Sequence, residues 1–339
     1  MRHKRRTYII AEAGVNHNGL LENAKRLVDA AKECGADAVK FQTYKTEKLV
    51  TRNAEKAEYQ KAAVPGDDTQ FDMLKRLELR EADFRELLDH CSRSCIEFLS
   101  SPFDEESADL LDALGMPTFK IPSGEITNHP LLEHIAKKGK PVILSTGMST
   151  LGEVEEAIRI FQACGTPCIT LLHCVTEYPA PYSEINLTAM ITLREAFKMA
   201  VGYSDHTPGI EIPLAAVSLG ATVIEKHFTL DNAMKGPDHK ASLNPNDFGR
   251  MVQAIRNVER AIGDGIKRPA PCELKNIGIA RKSIVAAETI EEGEIIPRGK
   301  LTVKRPGYGI QPKDMEKLVG LRTNRKIEKD EVLKWQYLA

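Results

Sequence analysis

Ala200-Val201-Gly202-Tyr203-Ser204-Asp205-His206 is a short apolar run that closes on polar residues, and Thr222-Val223-Ile224-Glu225-Lys226-His227 repeats the pattern. The same grammar recurs upstream. Apolar runs at Tyr8–Ala11, Ala38–Gln42, Glu97–Ser100, Thr118–Ile121, Val142–Ser145 and Ile169–His173 bring the number of candidate strands to eight. Between them lie segments with helical spacing, such as Leu21–Cys34, Asp83–Cys95, Glu105–Leu114, Leu131–Lys138 and Glu153–Cys164. Gly35, Gly115, Gly139, Gly165 and Gly220 fall near the ends of helices, where a left-handed cap suits glycine. Strands alternating with helices predict an α/β fold with a parallel sheet. Eight such units predict a closed (β/α)8 TIM barrel, usually about 250 residues long. A doubly wound open sheet is the structural alternative.

The last barrel helix is predicted over Leu243–Ile262, after which Gly263-Asp264-Gly265 and Pro269-Ala270-Pro271 break the pattern. This predicts a barrel over 1–262, a linker over 263–281 and a small, irregular β-rich unit over 282–339. So short a unit has a marginal core of its own, and docking on a barrel, its own or another subunit's, would help stabilise it.

The whole chain has 339 residues, 47 Lys plus Arg against 48 Asp plus Glu, and a formal net charge of -1. That balance gives no support for a nucleic-acid partner. No apolar run is long enough to span a bilayer, so no membrane partner is expected. The basic residues Arg2, Lys4, Arg5 and Arg6 read as a solvated tail and not as a secretory signal, which predicts a cytoplasmic protein. The odd count of 7 cysteines argues for reduced thiols. Cys91, Cys95, Cys164 and Cys168 lack histidine partners for a structural zinc and are expected to be packing residues.

A barrel's active site lies at the C-terminal ends of its strands. Those ends carry Glu12, then Lys40 and Gln42, Ser101, Lys120 with Ser123 and Glu125, Ser145, His173 with Thr176 and Tyr178, Ser204-Asp205-His206, and Glu225-Lys226-His227. Buried charge is costly unless it is paired or used, so polar groups at all eight ends point to a site. His206 and His227 close adjacent strands about 4.8 Å apart. With Asp205 and Asp238 nearby, they are candidate ligands of one divalent ion with open positions for substrate. Lys40 and Lys120 are either a salt-bridged pair or a clamp for an anion, with Ser101, Ser123, Ser145 and Ser204 as further donors. One lysine could instead form a Schiff base. Lys226 precedes His227 and so points to the other face. Glu12 and Glu125 are either acid/base groups or orienters of a lysine.

Several stretches resemble the sialic acid synthases: Ala11-Glu12-Ala13-Gly14-Val15-Asn16-His17-Asn18-Gly19, Val39-Lys40-Phe41-Gln42-Thr43, Lys120-Ile121-Pro122-Ser123-Gly124-Glu125, Leu144-Ser145-Thr146-Gly147-Met148, Tyr203-Ser204-Asp205-His206-Thr207, Glu225-Lys226-His227-Phe228-Thr229 and Gly236-Pro237-Asp238-His239. Val303-Lys304-Arg305-Pro306-Gly307-Tyr308-Gly309 resembles the antifreeze-like (SAF) domain that ends those enzymes.

The resemblance implies a synthase that condenses phosphoenolpyruvate with the open-chain aldehyde of an N-acetylated mannosamine-type sugar and releases phosphate, as an N-acetylneuraminate synthase does. It implies a divalent metal at His206 and His227, Mn2+ first, with Mg2+ and Co2+ as alternatives. It assigns phosphoenolpyruvate to Lys40, Ser101, Lys120, Ser123, Ser145, Thr176 and Ser204, and the sugar to Glu12, Gln42, Tyr178 and Asp238. Glu125 would handle a proton or the attacking water. Arg305 would reach the sugar's N-acetyl group from the SAF domain of the partner subunit, in a homodimer with exchanged C-terminal domains.

Thr176 departs from the Asn of some relatives. His173-Cys174-Val175-Thr176-Glu177-Tyr178-Pro179 also resembles the version in N,N'-diacetyllegionaminate synthases, whose acceptor is 2,4-diacetamido-2,4,6-trideoxymannose. A non-catalytic carbohydrate-binding barrel and a Schiff-base aldolase are the competing readings.

Overall fold

The computed structural model describes residues 6–64, Gly66 and residues 68–339. The chain divides into two compact units, Met1–Gly263 and Asp264–Ala339.

Eight parallel strands build the first unit: β1 (Tyr8–Gly14), β2 (Ala38–Thr43), β3 (Glu97–Pro102), β4 (Phe119–Ile121), β5 (Val142–Ser145), β6 (Ile169–Cys174), β7 (Ala200–Asp205) and β8 (Val223–His227). Their order is β3-β2-β1-β8-β7-β6-β5-β4, and β3 and β4 pack beside each other, so the sheet curls into a near-closed barrel. First and last strands pair directly, with Ile9 opposite Ile224 and Glu12 opposite His227. That closure excludes the open doubly wound alternative.

Helices between the strands start where side chains satisfy their first free N–H groups. Asp104 accepts from Ser107 N at 2.8 Å ahead of Glu105–Ala113, and Asn244 accepts from Asp247 N at 3.0 Å ahead of Pro245–Ile262. Their apolar faces join the strands in one core that includes Ile10, Leu27, Leu99, Phe161, Tyr203 and Phe248. Gly202 lies where β7 meets β8 most closely: a Cβ there would sit 2.4 Å from the Val223 carbonyl oxygen.

The second unit pairs β9 (Ser283–Ala286) with β10 (Leu301–Lys304) antiparallel, over a separate small core containing Ile284, Ile296, Leu318 and Leu333. The stretch 263–281, expected as a linker, is partly ordered. It carries a 3-10 turn, Pro271–Glu273, and a helix, Leu274–Ala280, and from Asp264 onward it clusters with the second unit.

Three further expectations meet the structure. All seven cysteines are free, but Cys95, Cys164 and Cys168 are exposed, so of the four expected to pack only Cys91 does. Arg2, Lys4 and Arg5 lie outside the described residues, while Arg6 is exposed and reaches Asp37 at 3.1 Å. Among the described residues, no helix is long and apolar enough to cross a membrane.

Candidate active site

Strand alternation builds the site. Side chains two apart on a strand share a face, and the inward sets are Lys40 with Gln42, Ser204 with His206, and Glu225 with His227. They line one cavity of about 260 Å3 together with Glu12, Ser101, Lys120, Ser123, Ser145, Thr176 and Tyr178. Register supplies the neighbours: Glu12 lies opposite Lys40 on one side and His227 on the other, and Ser204 lies opposite Glu225. The intervening residues face away. Lys226 is fully buried and pairs with Asp205 at 2.5 Å, which accounts for both charges outside the cavity. Asp205 is therefore not the extra group near the imidazoles that the sequence suggested.

The floor of the cavity is a chain of buried charges. Lys40 Nζ lies 2.6 Å from Glu12 Oε2 and 3.9 Å from Glu225 Oε2, and it donates to Ser101 Oγ at 3.2 Å. Lys120 Nζ donates to Ser145 Oγ at 2.8 Å and stands 3.4 Å from Glu225 Oε1, which also accepts from Ser204 Oγ at 2.9 Å. Burial pushes the Glu12 carboxyl up to about 7 in spite of Lys40. Burial opposes the Glu225 carboxylate as well, yet Lys120 and Lys40 outweigh it and hold it below the ordinary glutamate value. Lys120 is held below the ordinary lysine value by burial, with the Lys40 charge adding to the effect.

The imidazoles of His206 and His227 stand with ring centroids 5.3 Å apart. His206 Nδ1–H donates to the Val175 carbonyl at 2.6 Å, which leaves Nε2 as the lone-pair nitrogen. His227 Nδ1 is buried without a hydrogen-bond partner and lies 3.9 Å from Asp238 Oδ2. Burial keeps both rings neutral by lowering their pKa values, and at His227 the neighbouring His206 adds to the effect. Two neutral imidazoles, one with an orphaned nitrogen, suit a divalent ion whose other positions belong to water and substrate. Among the described residues, no group of three or more His, Cys, Asp or Glu is arranged to hold a metal.

The remaining expected residues are distributed as follows. Thr176 Oγ1 is buried and unpartnered at the cavity wall. Tyr178 packs on His206 with ring centroids 4.2 Å apart. Asp238 is buried beside the cavity: a Cβ on Gly14 would meet Glu12 Oε1, Gln42 Nε2 and Asp238 Oδ2 within 3.1–3.7 Å, so these three converge there. Burial raises the Asp238 carboxyl to about 6. Glu125 does not line the cavity. Its Oε2 accepts from Asn128 Nδ2 at 2.7 Å, one residue beyond the lining Gly124. Arg305 belongs to the second unit, where it is exposed and its Nε–H donates to the Ala280 carbonyl at 3.0 Å.

Two prominent lining residues have no assigned role in the expectations above, although Glu225 stands among the strand-end groups. Glu225 was legible, since it sits two residues before His227 on the same strand face. Tyr59 was not, because it lies on a six-residue helix, Glu58–Ala63, in a polar stretch with no strand signal.

A near-closed parallel barrel with charged groups and imidazoles gathered at its strand ends defines a barrel enzyme. The chain belongs to the NeuB family, whose model matches residues 27–267, and the SAF domain model matches residues 281–339. This bears out the resemblance to sialic acid synthases with a SAF tail. The chain is 52% identical over 332 residues to the N,N'-diacetyllegionaminic acid synthase of Campylobacter jejuni, covering 97% of this chain and 99% of that one. It is 48% identical over 335 residues to the protein of the same name from Legionella pneumophila, covering 98% and 94%. Among solved structures it is similar to the N-acetylneuraminic acid synthetase of Leptospira borgpetersenii, with TM-score 0.71, 35% identity, and coverage of 81% of this chain and 91% of that one.

Proposed function

We propose that this enzyme condenses phosphoenolpyruvate with 2,4-diacetamido-2,4,6-trideoxymannose to give N,N'-diacetyllegionaminate and phosphate. One observation carries the reading: two buried lysines and two neutral imidazoles share a single cavity at the barrel mouth. The choice of sugar is supported by the two relatives at 52% and 48% identity, which favour the legionaminate alternative over the N-acetylmannosamine acceptor expected first.

In this reading Lys40 and Lys120 hold the carboxylate and phosphate of phosphoenolpyruvate, and Ser101, Ser123, Ser145, Thr176 and Ser204 supply hydroxyl contacts. C3 of phosphoenolpyruvate bonds to the aldehyde carbon, and the electron pair of the C=O bond moves to oxygen. Glu12, with its carboxyl near 7, holds the proton that this oxygen takes up. Water then adds at C2 and passes one proton to the Glu12 carboxylate left by the first step; phosphate leaves with the C2–O bonding pair and carries off the second proton, as the added oxygen becomes the C2 carbonyl. Glu125, expected to take that water's proton, accepts from Asn128 outside the cavity and takes no direct part in the step. His206 and His227 would hold a divalent ion, Mn2+ in the first instance, which supplies Lewis-acid polarisation of the aldehyde when bound. Gln42, Tyr178 and Asp238 position the sugar. We place the reaction in the cytoplasm, a reducing compartment in which free thiols are ordinary.

Phosphate release from phosphoenolpyruvate, assayed over a panel of N-acetylated sugars, tests the reading. The diacetamido sugar should give the highest kcat/KM. A clear preference for N-acetylmannosamine would return the acceptor to the first expectation. Silence with every sugar would leave a binding barrel, and a pyruvate adduct trapped by borohydride would make the protein a Schiff-base aldolase.

We also propose a homodimer in which Arg305 of one subunit completes the partner's site. The support is that Arg305 is exposed on the second unit, whose helix Leu274–Ala280 leaves Leu274 and Ile279 exposed to solvent. A chain with Arg305→Ala, mixed with a chain carrying His206→Ala, should regain activity after subunit exchange. Mixing that forms heterodimers and restores nothing would assign the tail to its own barrel.

A further inference from the structure

The lining of the cavity is of two kinds. One is the charged floor already described. The other is largely carbon, formed by Tyr59, Phe103, Met148 and Tyr178. The rings of Tyr59 and Tyr178 stand with centroids 4.8 Å apart, and Tyr178 lies in turn 4.2 Å from the His206 ring. An aromatic column therefore runs from the imidazole pair outward to Tyr59. The hydroxyl oxygen of its outer member, Tyr59, accepts from Gln60 Nε2 at 3.2 Å, a bond to the next residue of its own helix.

The segment that presents Tyr59 is held in place. Lys56 is buried, and its Nζ donates to the Val64 carbonyl at 3.0 Å, the Gly66 carbonyl at 3.1 Å and Asp68 Oδ1 at 2.7 Å. Gln60 is buried too, and its Oε1 accepts from Ala57 N at 3.0 Å and Gln70 Nε2 at 3.3 Å. A buried ammonium spent wholly on closing its own loop indicates that the loop's shape matters. What that shape delivers to the cavity is the ring of Tyr59.

We propose that Tyr59 is a specificity-determining residue: with Tyr178 it forms an apolar shelf that selects an acceptor bearing a methyl group at C6 and an acetamido group at C4 over one bearing hydroxyls there. The inference rests on the synthase reading and deepens it. The two rival sugars are alike at the aldehyde and at the 2-acetamido group and differ only at C4 and C6. Discrimination must therefore occur at the end remote from the aldehyde. The imidazoles mark the aldehyde end, and Tyr59 stands one ring beyond Tyr178 from them. A methyl group lies against an aromatic face without cost. A hydroxyl set against the ring face gives up water and meets only a weak π acceptor in exchange.

The experiment compares kcat/KM for the diacetamido sugar and for N-acetylmannosamine in Tyr59→Ala, Tyr59→Phe and Lys56→Met, with KM for phosphoenolpyruvate and thermal stability as controls. Tyr59→Ala should lower kcat/KM for the diacetamido sugar by about tenfold, the order set by one small apolar group in a pocket. It should leave N-acetylmannosamine within about twofold and phosphoenolpyruvate KM unchanged. Tyr59→Phe keeps the ring and should keep the preference. Lys56→Met frees the loop and should reduce the preference in the same sense as Tyr59→Ala. An equal loss on both sugars, or a raised KM for phosphoenolpyruvate, overturns the assignment while leaving the synthase reading intact. No phosphate release by the unaltered enzyme with either sugar overturns both.

Discussion

Replacing Lys120 with Met raises the KM for phosphoenolpyruvate by about 10- to 100-fold, the equivalent of roughly 1.5–3 kcal/mol for one charge-assisted contact. The sugar KM moves far less. The reason is the charge balance of the floor. Lys40 and Lys120 face Glu225 and a Glu12 whose carboxyl sits at about 7, so near neutral pH the lysines are incompletely matched. Lys120 is the strained member, with burial and Lys40 both acting against its ammonium. Phosphoenolpyruvate, the proposed ligand, would relieve that strain through its negative charge. The substitution also leaves Glu225 with Lys40 at 3.9 Å and the Ser204 hydroxyl as its remaining partners, so a lower melting temperature accompanies the kinetic change. Titration of phosphoenolpyruvate by calorimetry separates the two effects. An unchanged affinity in a folded variant would reject the anion clamp and leave the lysines as a structural salt-bridge pair.

How much of this was legible before the structure depended on whether a residue sat on a regular element. On β8, alternation alone puts Glu225 and His227 on one face and Lys226 on the other, and the barrel realises that split. Parallel register then places Glu12 between Lys40 and His227, which follows from strand order once β1 is known to meet β8. Loops obey no such period. Asp205 is a different case: it closes β7, where strand alternation itself turns it toward Lys226 and away from His206. Tyr59 carried no signal because its place over the cavity comes from a loop closed by Lys56, a contact set by tertiary geometry. Glu125 was placed by proximity in sequence to Ser123, but the turn Ser123–Glu125 aims it at Asn128. Gly and Pro mark 263–281 as a break after the last barrel helix, but they carry no signal for the helix of seven residues, Leu274–Ala280, that lies beyond them.

Metal binding is the second large effect. His206→Ala and His227→Ala should each weaken Mn2+ binding by more than about 100-fold, beyond the 10- to 100-fold typical of losing a group that only orients a ligand. In the proposed site the two imidazoles are the protein's donors, so each substitution would remove half of the set. The two rings are not equivalent. His206 is held by its Nδ1–H on the Val175 carbonyl, which fixes ring and tautomer together, so His206→Gln would keep a polar group but lose the aimed lone pair. His227 has no such anchor, and its Nδ1 is orphaned in a buried site. An unpartnered buried nitrogen costs stability unless something occupies its lone pair. The two alanine variants should therefore part company in metal-free buffer: His227→Ala removes the orphan and should melt no lower than the unaltered chain, whereas His206→Ala forfeits a satisfied hydrogen bond and should melt lower. Mn2+ should raise the melting temperature of the unaltered chain and of neither variant, because binding to the folded form alone stabilises it by mass action. Melting curves with and without Mn2+ read this without any assay of turnover. Equal Mn2+-induced shifts in all three proteins, together with full activity after chelation, would remove the metal from these histidines.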